Sequence, residues 1–155
     1  MEIRTFRPDD LPVLKSITVE AFDGVSIDQG MEQVFGPIAG RDWQWRKARH
    51  LDDDVRADAE GIFVAEDQGR IVGYITTRRD MEAGIGHIPN IAIARESRGQ
   101  GLGRQLIEHA MNHFRQLGLT HAKIETLVQN EVGNHLYTLL GFREVARQIH
   151  FLAEL

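Results

Sequence analysis

Apolar residues recur along this chain in two rhythms, and the changes between them mark out its elements. Ile3 and Phe6 lie in a short, edge-like strand. From Leu11 the spacing becomes helical. Leu11, Leu14, Ile17, Ala21 and Phe22 share a face, Asp9 or Asp10 can cap it, Pro12 fits the first turn, and Asp23-Gly24 ends it. Between Val25 and Ala59 the rhythm is lost: Gly36-Pro37 and Gly40 interrupt it, and only Trp43 to Leu51 predicts a helix. Ile62 to Ala65 and Ile71 to Thr77 then read as a hairpin with Asp67-Gln68-Gly69-Arg70 as its turn.

The run Ile85-Gly-His-Ile-Pro-Asn-Ile-Ala-Ile93 breaks its own alternation, because Ile88 falls on the opposite parity to Ile91 and Ile93. Proline inside a sheet is confined to edges, strand starts and bulges, and one extra residue near Pro89 would return the three isoleucines to a common face. Leu102, Leu106, Ala110, Phe114 and Leu117 next predict a helix from Gly101 to Leu117, closed by Gly118. Ala122, Ile124, Thr126 and Val128 alternate with His121, Lys123 and Glu125 as a strand. Asn130 caps a short helix ended by Gly141, and Phe142 to Leu155 reads as a final strand or hairpin. No repeat, linker or low-complexity segment interrupts this order, so residues 1–155 are expected to form a single domain.

Composition narrows the function classes. A chain of 155 residues buries roughly 70% of the surface it exposes when unfolded, so it needs no staple. It contains no cysteine, which removes disulfides, thiol nucleophiles and thiolate metal sites. A net charge of −5 gives no general attraction for nucleic acid. Met1 leads into a polar strand, and nothing approaches eighteen consecutive apolar residues, the length of a membrane span; a cytoplasmic location is compatible, with no membrane partner expected.

Candidate chemistry centres on Arg98-Gly99-Gln100-Gly101-Leu102-Gly103, a glycine-rich turn between a strand and a helix. Backbone amides can approach a ligand closely there, and the unpaired N–H groups and dipole of the new helix favour an anion such as phosphate. Arg98 or Arg104 can add side-chain donors. No Lys-Ser/Thr pair follows the glycines, so a P-loop is excluded; the spacing and late position also exclude a dinucleotide fingerprint.

These residues resemble the Arg/Gln-x-x-Gly-x-Gly/Ala signature of the GCN5-related N-acetyltransferase superfamily, met by Arg98, Gly101 and Gly103. Asn130 to Tyr137, ending in Gly141-Phe142, is similar to its Asn-x-x-Ala-x-x-x-Tyr segment, with Gly133 in place of alanine. The resemblance implies an α/β fold: a central twisted mixed sheet, helices on both faces, and a V-shaped opening between the strand ending at Ile93 and the strand from Ala122 to Val128. It implies acetyl-CoA as cosubstrate, without a metal. The pyrophosphate would lie on Arg98, Gly99, Gln100, Gly101, Leu102, Gly103 and Arg104; Ile91 and Ile93 would line the acyl arm, with Asn130 close by. It further implies direct attack by a primary amine, an oxyanion held by a backbone N–H of the bulged strand, and Tyr137 as general acid.

Many relatives place a glutamate on the bulged strand, where this chain reads Pro89-Asn90. His87 is the candidate base, with a structural histidine and a water chain as alternatives; Glu125 reads as a solvated residue. His109 and His113 read as two exposed histidines rather than a metal pair, Asp52-Asp53-Asp54 as a solvated run, and Trp43 and Trp45 as packing residues. A non-catalytic acetyl-CoA sensor, or an acyltransferase with another acyl donor or a hydroxyl acceptor, remain the alternatives. The acceptor is unidentified and a homodimer is left open.

Overall fold

The computed structural model describes residues Met1 to Leu155. Its sheet starts from the central hairpin of β2 (Ile62–Asp67) and β3 (Arg70–Thr76). Gln68 and Gly69 turn the chain with φ of 48° and 75°, the left-handed pair that a two-residue hairpin of matching twist demands. β1 (Glu2–Thr5) pairs antiparallel with β2, and β6 (Ile91–Ile93) with β3, giving the order β1-β2-β3-β6. After Thr77 the line of β3 continues as β4 (Arg78–Asp80), which pairs with β5 (Ile85–Ile88); β5 pairs in parallel with β7 (His121–Ile124).

Register locates the extra residue that the isoleucine parity predicts. Ile75 faces Ile91 and Arg78 faces His87, so three steps on one line oppose four on the other. Pro89 and Asn90 lie in that interval. The bulge works as parity requires: Ile88 is buried in the core beneath α5 (Leu102–Gln116), and Ile91 and Ile93 pack against the same core. Ala92 faces the opposite core with Leu14, Ile17, Leu51, Ile62, Val64 and Tyr74.

Helices therefore cover both faces. α5 and α6 (Glu131–Leu139) lie on one; α1 (Leu11–Ala21) and α4 (His50–Asp58) contribute to the core on the other. Gly86 explains the fit on the α5 side, since a Cβ there would lie 2.5 Å from the ring of Phe114. Tyr74, fully buried beneath α1, is satisfied by a 2.6 Å hydrogen bond to Thr18, whose hydroxyl in turn donates to the Leu14 carbonyl at 2.7 Å.

Several expectations are corrected. The segment Val25–Ala59 carries three helices, not one: α2 (Ile27–Phe35), α3 (Trp43–Ala48) and α4. Gly30 inside α2 weakens its helical signal, although Ser26 caps it. Asp10 does not cap α1; its carboxylate accepts from the Arg7 N–H at 2.7 Å and from Arg4 at 2.8 Å and 3.0 Å, tying β1 to the helix entry. β7 stops at Ile124. Thr126 and Val128 keep the alternation but have no strand beside them, and Val128 is exposed. Phe142 to Leu155 forms neither strand nor hairpin: residues 143–155 make no backbone hydrogen bond, because no edge of this chain lies against them.

Candidate active site

The opening in the sheet follows from the bulge. β5 and β7 pair up to Ile88 and Ile124, but β6, which continues the line of β5, has β3 on one side and no strand on the other. Successive residues of a strand direct their backbone groups to alternate sides. Asn90 exchanges bonds with Thr76, and the Ala94 N–H donates to Val72, so even-numbered residues serve β3. The N–H and C=O groups of Ile91 and Ile93 therefore turn toward the opening. Arg98 marks that side, its Nε donating to the Ile93 carbonyl at 3.0 Å.

At the end of β6 the chain makes one short turn, Arg95–Ser97, and enters the glycine stretch. Gly99 and Gly101 adopt φ of 75° and 79°, which favour glycine, and Gly101 leads directly into α5. The amides of residues 99–104 donate to no acceptor in the chain; the first helical bond comes from Gln105 to Gly101. Six successive free donors at a helix N-terminus form an anion nest, and a Cβ at Gly99 or Gly101 would point into open space. Of the two arginines, Arg98 lies at the mouth of this turn, while Arg104 is held by Glu108 at 2.8 Å.

α6 closes the far side. Leu136 packs against Gly103, where a Cβ would sit 3.3 Å from its methyl. Tyr137 is half-buried beside Phe142, ring centroids 6.2 Å apart, and burial pushes its phenol up to about 12. Asn130 caps the helix by accepting from the Gly133 N–H at 3.1 Å while its amide donates to Thr126 at 2.8 Å. Gly133 is explained by that cap: a Cβ there would meet the Asn130 amide nitrogen at 2.6 Å.

On the other face of the sheet, parity sets His87 opposite to Gly86 and Ile88, on the side of α4. Its cross-strand neighbours there are Arg78 and Lys123. Its Nε2 lies 2.6 Å from the Glu125 carboxylate. Glu125 is thus a partner of His87 rather than a merely solvated residue. Sequence reasoning had both residues but not their pairing, which depends on the parallel register of β5 and β7.

A second polar group was missed altogether. The buried Asp54 carboxylate accepts from the Asn90 amide at 2.6 Å, Thr76 at 2.9 Å and Arg78 at 2.7 Å. Lys47 donates to the side-chain Oδ1 of Asn90 at 2.8 Å from beneath Phe22, and burial pulls its amine down to about 8 against the opposing pull of Asp28 and Asp54. The bulge is therefore tied to α3 and α4. Asp54 is not part of a solvated run, although Asp52 and Asp53 pair with Lys15 and Arg56 at the surface.

His109 and His113 are half-buried, not exposed, with rings edge-on to Phe63 at 4.4 Å and 5.1 Å. Burial lowers both from the usual histidine range. Trp43 is packed as expected; Trp45 is partly exposed and stacks with Arg41 and Arg49 at 4.5 Å and 4.8 Å. A cavity of about 650 Å³ lies between Leu11, Lys15, Trp45 and Val55, and no residue of the glycine turn or α6 lines it. No helix is long and apolar enough to cross a membrane.

Comparison with known proteins bears on this geometry. Residues 29–142 match the acetyltransferase (GNAT) family. The chain is 28% identical to mycothiol acetyltransferase of Parafrankia sp. (strain EAN1pec) over 96% of its own length and 54% of that protein's. It is 34% identical to N-alpha-acetyltransferase 30 of Schizosaccharomyces pombe over 54% of its length and 57% of the relative's. It thus spans about half the length of these relatives. Among solved structures, the PaiA N-acetyltransferase of Thermoplasma acidophilum in complex with coenzyme A superimposes with a TM-score of 0.73, 18% identity, and coverage of 92% of this chain and 89% of that one. At that identity the likeness is one of fold.

Proposed function

The chain belongs to the acetyltransferase (GNAT) family, and from that premise we propose that residues 1–155 act as one N-acetyltransferase unit. It moves the acetyl group of acetyl-CoA to a primary amine by direct attack. The observation that carries this reading is the set of six free amides, residues 99–104, beside an unpaired strand edge. They suit a diphosphate; Arg98 adds charge at the same turn, and Gln100 and Arg104 flank it. A protein of similar fold, the PaiA N-acetyltransferase, is solved with coenzyme A, which supports this reading.

Acetyl-CoA supplies the acyl group and the leaving thiolate. The amine nitrogen bonds to the acetyl carbon as the carbon–sulfur bond breaks, and the amine's surplus proton passes to a base. The backbone of Ile91 and Ile93 pairs with the amide-bearing arm as a strand would, and the Ile91 N–H meets the charge developing on the carbonyl oxygen. His87, held by Glu125, takes the amine's proton from the α4 side, directly or through one water. Tyr137 serves the departing sulfur. Its phenol stays protonated at neutral pH and donates to the thiolate as charge develops. Asn130 fixes α6, which carries that tyrosine.

The test is calorimetric titration with acetyl-CoA. The wild-type chain is expected to bind, and Gly101→Val to bind at least tenfold more weakly with its fold retained, since a β-branched residue is strained at that φ and crowds the nest. An unchanged affinity removes the turn from the site. Thiol release with a panel of primary amines then separates an enzyme from a cofactor sensor, which would bind without turnover.

A further inference from the structure

We propose that Asp54 and Thr76 are positioning residues for the transfer step: together with Lys47 they hold Asn90 so that the Ile91 N–H is aimed at the acetyl carbonyl oxygen. The role rests on the transferase reading above, and it gives a task to buried groups that never touch the reacting atoms. A main-chain donor lowers the barrier only if it already points where the charge will develop.

The aim of that amide is set one residue earlier. The Asn90 C=O and the Ile91 N–H belong to one trans peptide plane and point opposite ways along it. The Thr76 N–H donates to the Asn90 C=O at 2.8 Å from the β3 side, so the Ile91 N–H is turned toward the opening. One bond alone would leave the plane free to rock. Hydrogen-bonded residues of a regular antiparallel pair exchange two main-chain bonds. Here the Asn90 N–H goes instead to the Thr76 hydroxyl, at 3.1 Å, because the bulge carries it out of line with the Thr76 carbonyl. Pro89, the residue before, has no N–H to offer. The second fastening is therefore made by a side chain.

That side chain is itself held. The Thr76 hydroxyl donates to one oxygen of Asp54 at 2.9 Å, the Asn90 amide donates to the same oxygen at 2.6 Å, and Arg78 occupies the other oxygen at 2.7 Å. Lys47 takes Asn90 Oδ1 at 2.8 Å. Asp54 and Lys47 demand opposite ends of the Asn90 amide, so it cannot turn over. Main chain and side chain of Asn90 thus find partners on β3, α3 and α4. Asp54, Thr76 and Asn90 are all buried, where bonds to a charged group are strong and water does not compete for them. A clamp that only joined helix to sheet could fasten any residue of β3 or β4. This one converges on the peptide that carries the Ile91 N–H.

Calorimetry with two ligands reads the aim of that N–H without requiring turnover. Acetyl-CoA has the thioester carbonyl; the thioether S-ethyl-coenzyme A lacks it. The wild-type chain is expected to prefer acetyl-CoA by about fivefold, and Thr76→Val, which keeps the side chain's shape and removes its hydroxyl, to lower that preference below about twofold. Affinity for the thioether should not change. Thr76→Ser returns the hydroxyl and should restore the preference although it leaves a small cavity, a pattern that lost packing cannot produce. Asp54→Asn, the second variant, weakens the hold on the hydroxyl and should reduce the preference in the same direction. With an accepted amine, Thr76→Val should lower kcat about tenfold or more at unchanged KM for acetyl-CoA. Equal affinities in the wild type, or a preference retained in Thr76→Val, overturn the positioning role and leave the diphosphate cradle standing. A wild-type chain that binds neither ligand overturns both.

Discussion

Tyr137 and Lys47 are both shifted by burial, and burial acts oppositely on them because one is neutral when protonated and the other charged. For Tyr137 the proton is held more tightly, and in the proposed mechanism a phenol near 12 beside a thiol of ordinary pKa near 8.5 would stabilise the leaving sulfur by hydrogen bonding rather than by full transfer. Tyr137→Phe is therefore expected to lower kcat by about a hundredfold with cofactor affinity unchanged, read from steady-state thiol release and calorimetry together. Lys47 has the reverse shift, about 8 when folded against 10.5 when free. Between those values the unfolded chain holds more protons, so this residue makes stability rise with pH from about 8 and level off near 10.5, by on the order of 3 kcal/mol. Asp28, Asp54 and His50 face it from α2 and α4, and the two aspartates offset part of the cost of its charge. Urea midpoints at pH 7.5 and 9.5 check this: the wild-type midpoint should climb relative to that of Lys47→Met, which lacks the titration.

At the scale of elements, two glycines look alike in sequence and act through different neighbours. Gly86 is bare because α5 lays Phe114 across β5, and Gly133 because its own cap, Asn130, fills the space. Gly86→Ala should lower the unfolding free energy by about 1–3 kcal/mol through overpacking, measured by denaturant titration with the slope unchanged. The Phe114 contact is made across the core and cannot be read from spacing, whereas Asn130 lies only three residues before Gly133. What spacing did convey was the hairpin at Gln68-Gly69, the helix from Leu102, and the bulge, since Ile88, Ile91 and Ile93 can share a core only through one extra residue. α2 was obscured by its internal glycine. Alternation runs on to Val128, past the end of the strand at Ile124, because it records a side-chain pattern and is silent about whether a neighbouring strand exists.

Across the molecule, the order of elements and the glycine turn entering α5 were legible because each rests on contiguous residues with steric requirements of their own. The rest of the site was not, because it is assembled from distant segments. His87 meets Glu125 only through the parallel pairing of β5 and β7, and Asp54 reaches Asn90 from a helix whose charges looked like surface. A chain of net charge −5 offers an anionic cosubstrate no favourable long-range field, so the proposed hold on a diphosphate would have to be local. The position of the bulge, finally, fixes the tolerance of the whole chain to changes of length. Deleting either Pro89 or Asn90 would leave a regular strand on which Ile88, Ile91 and Ile93 still share a face, so the core would survive while the bulge that opens the sheet would be lost. An added residue in the Gly36 to Gly40 turn, where a Cβ on either glycine meets only open space, would disturb the turn and its bond from Arg46 to the Ile38 carbonyl but leave the sheet intact. Length variation among natural or designed versions of this sequence should therefore gather in that early loop and stop short of the proline.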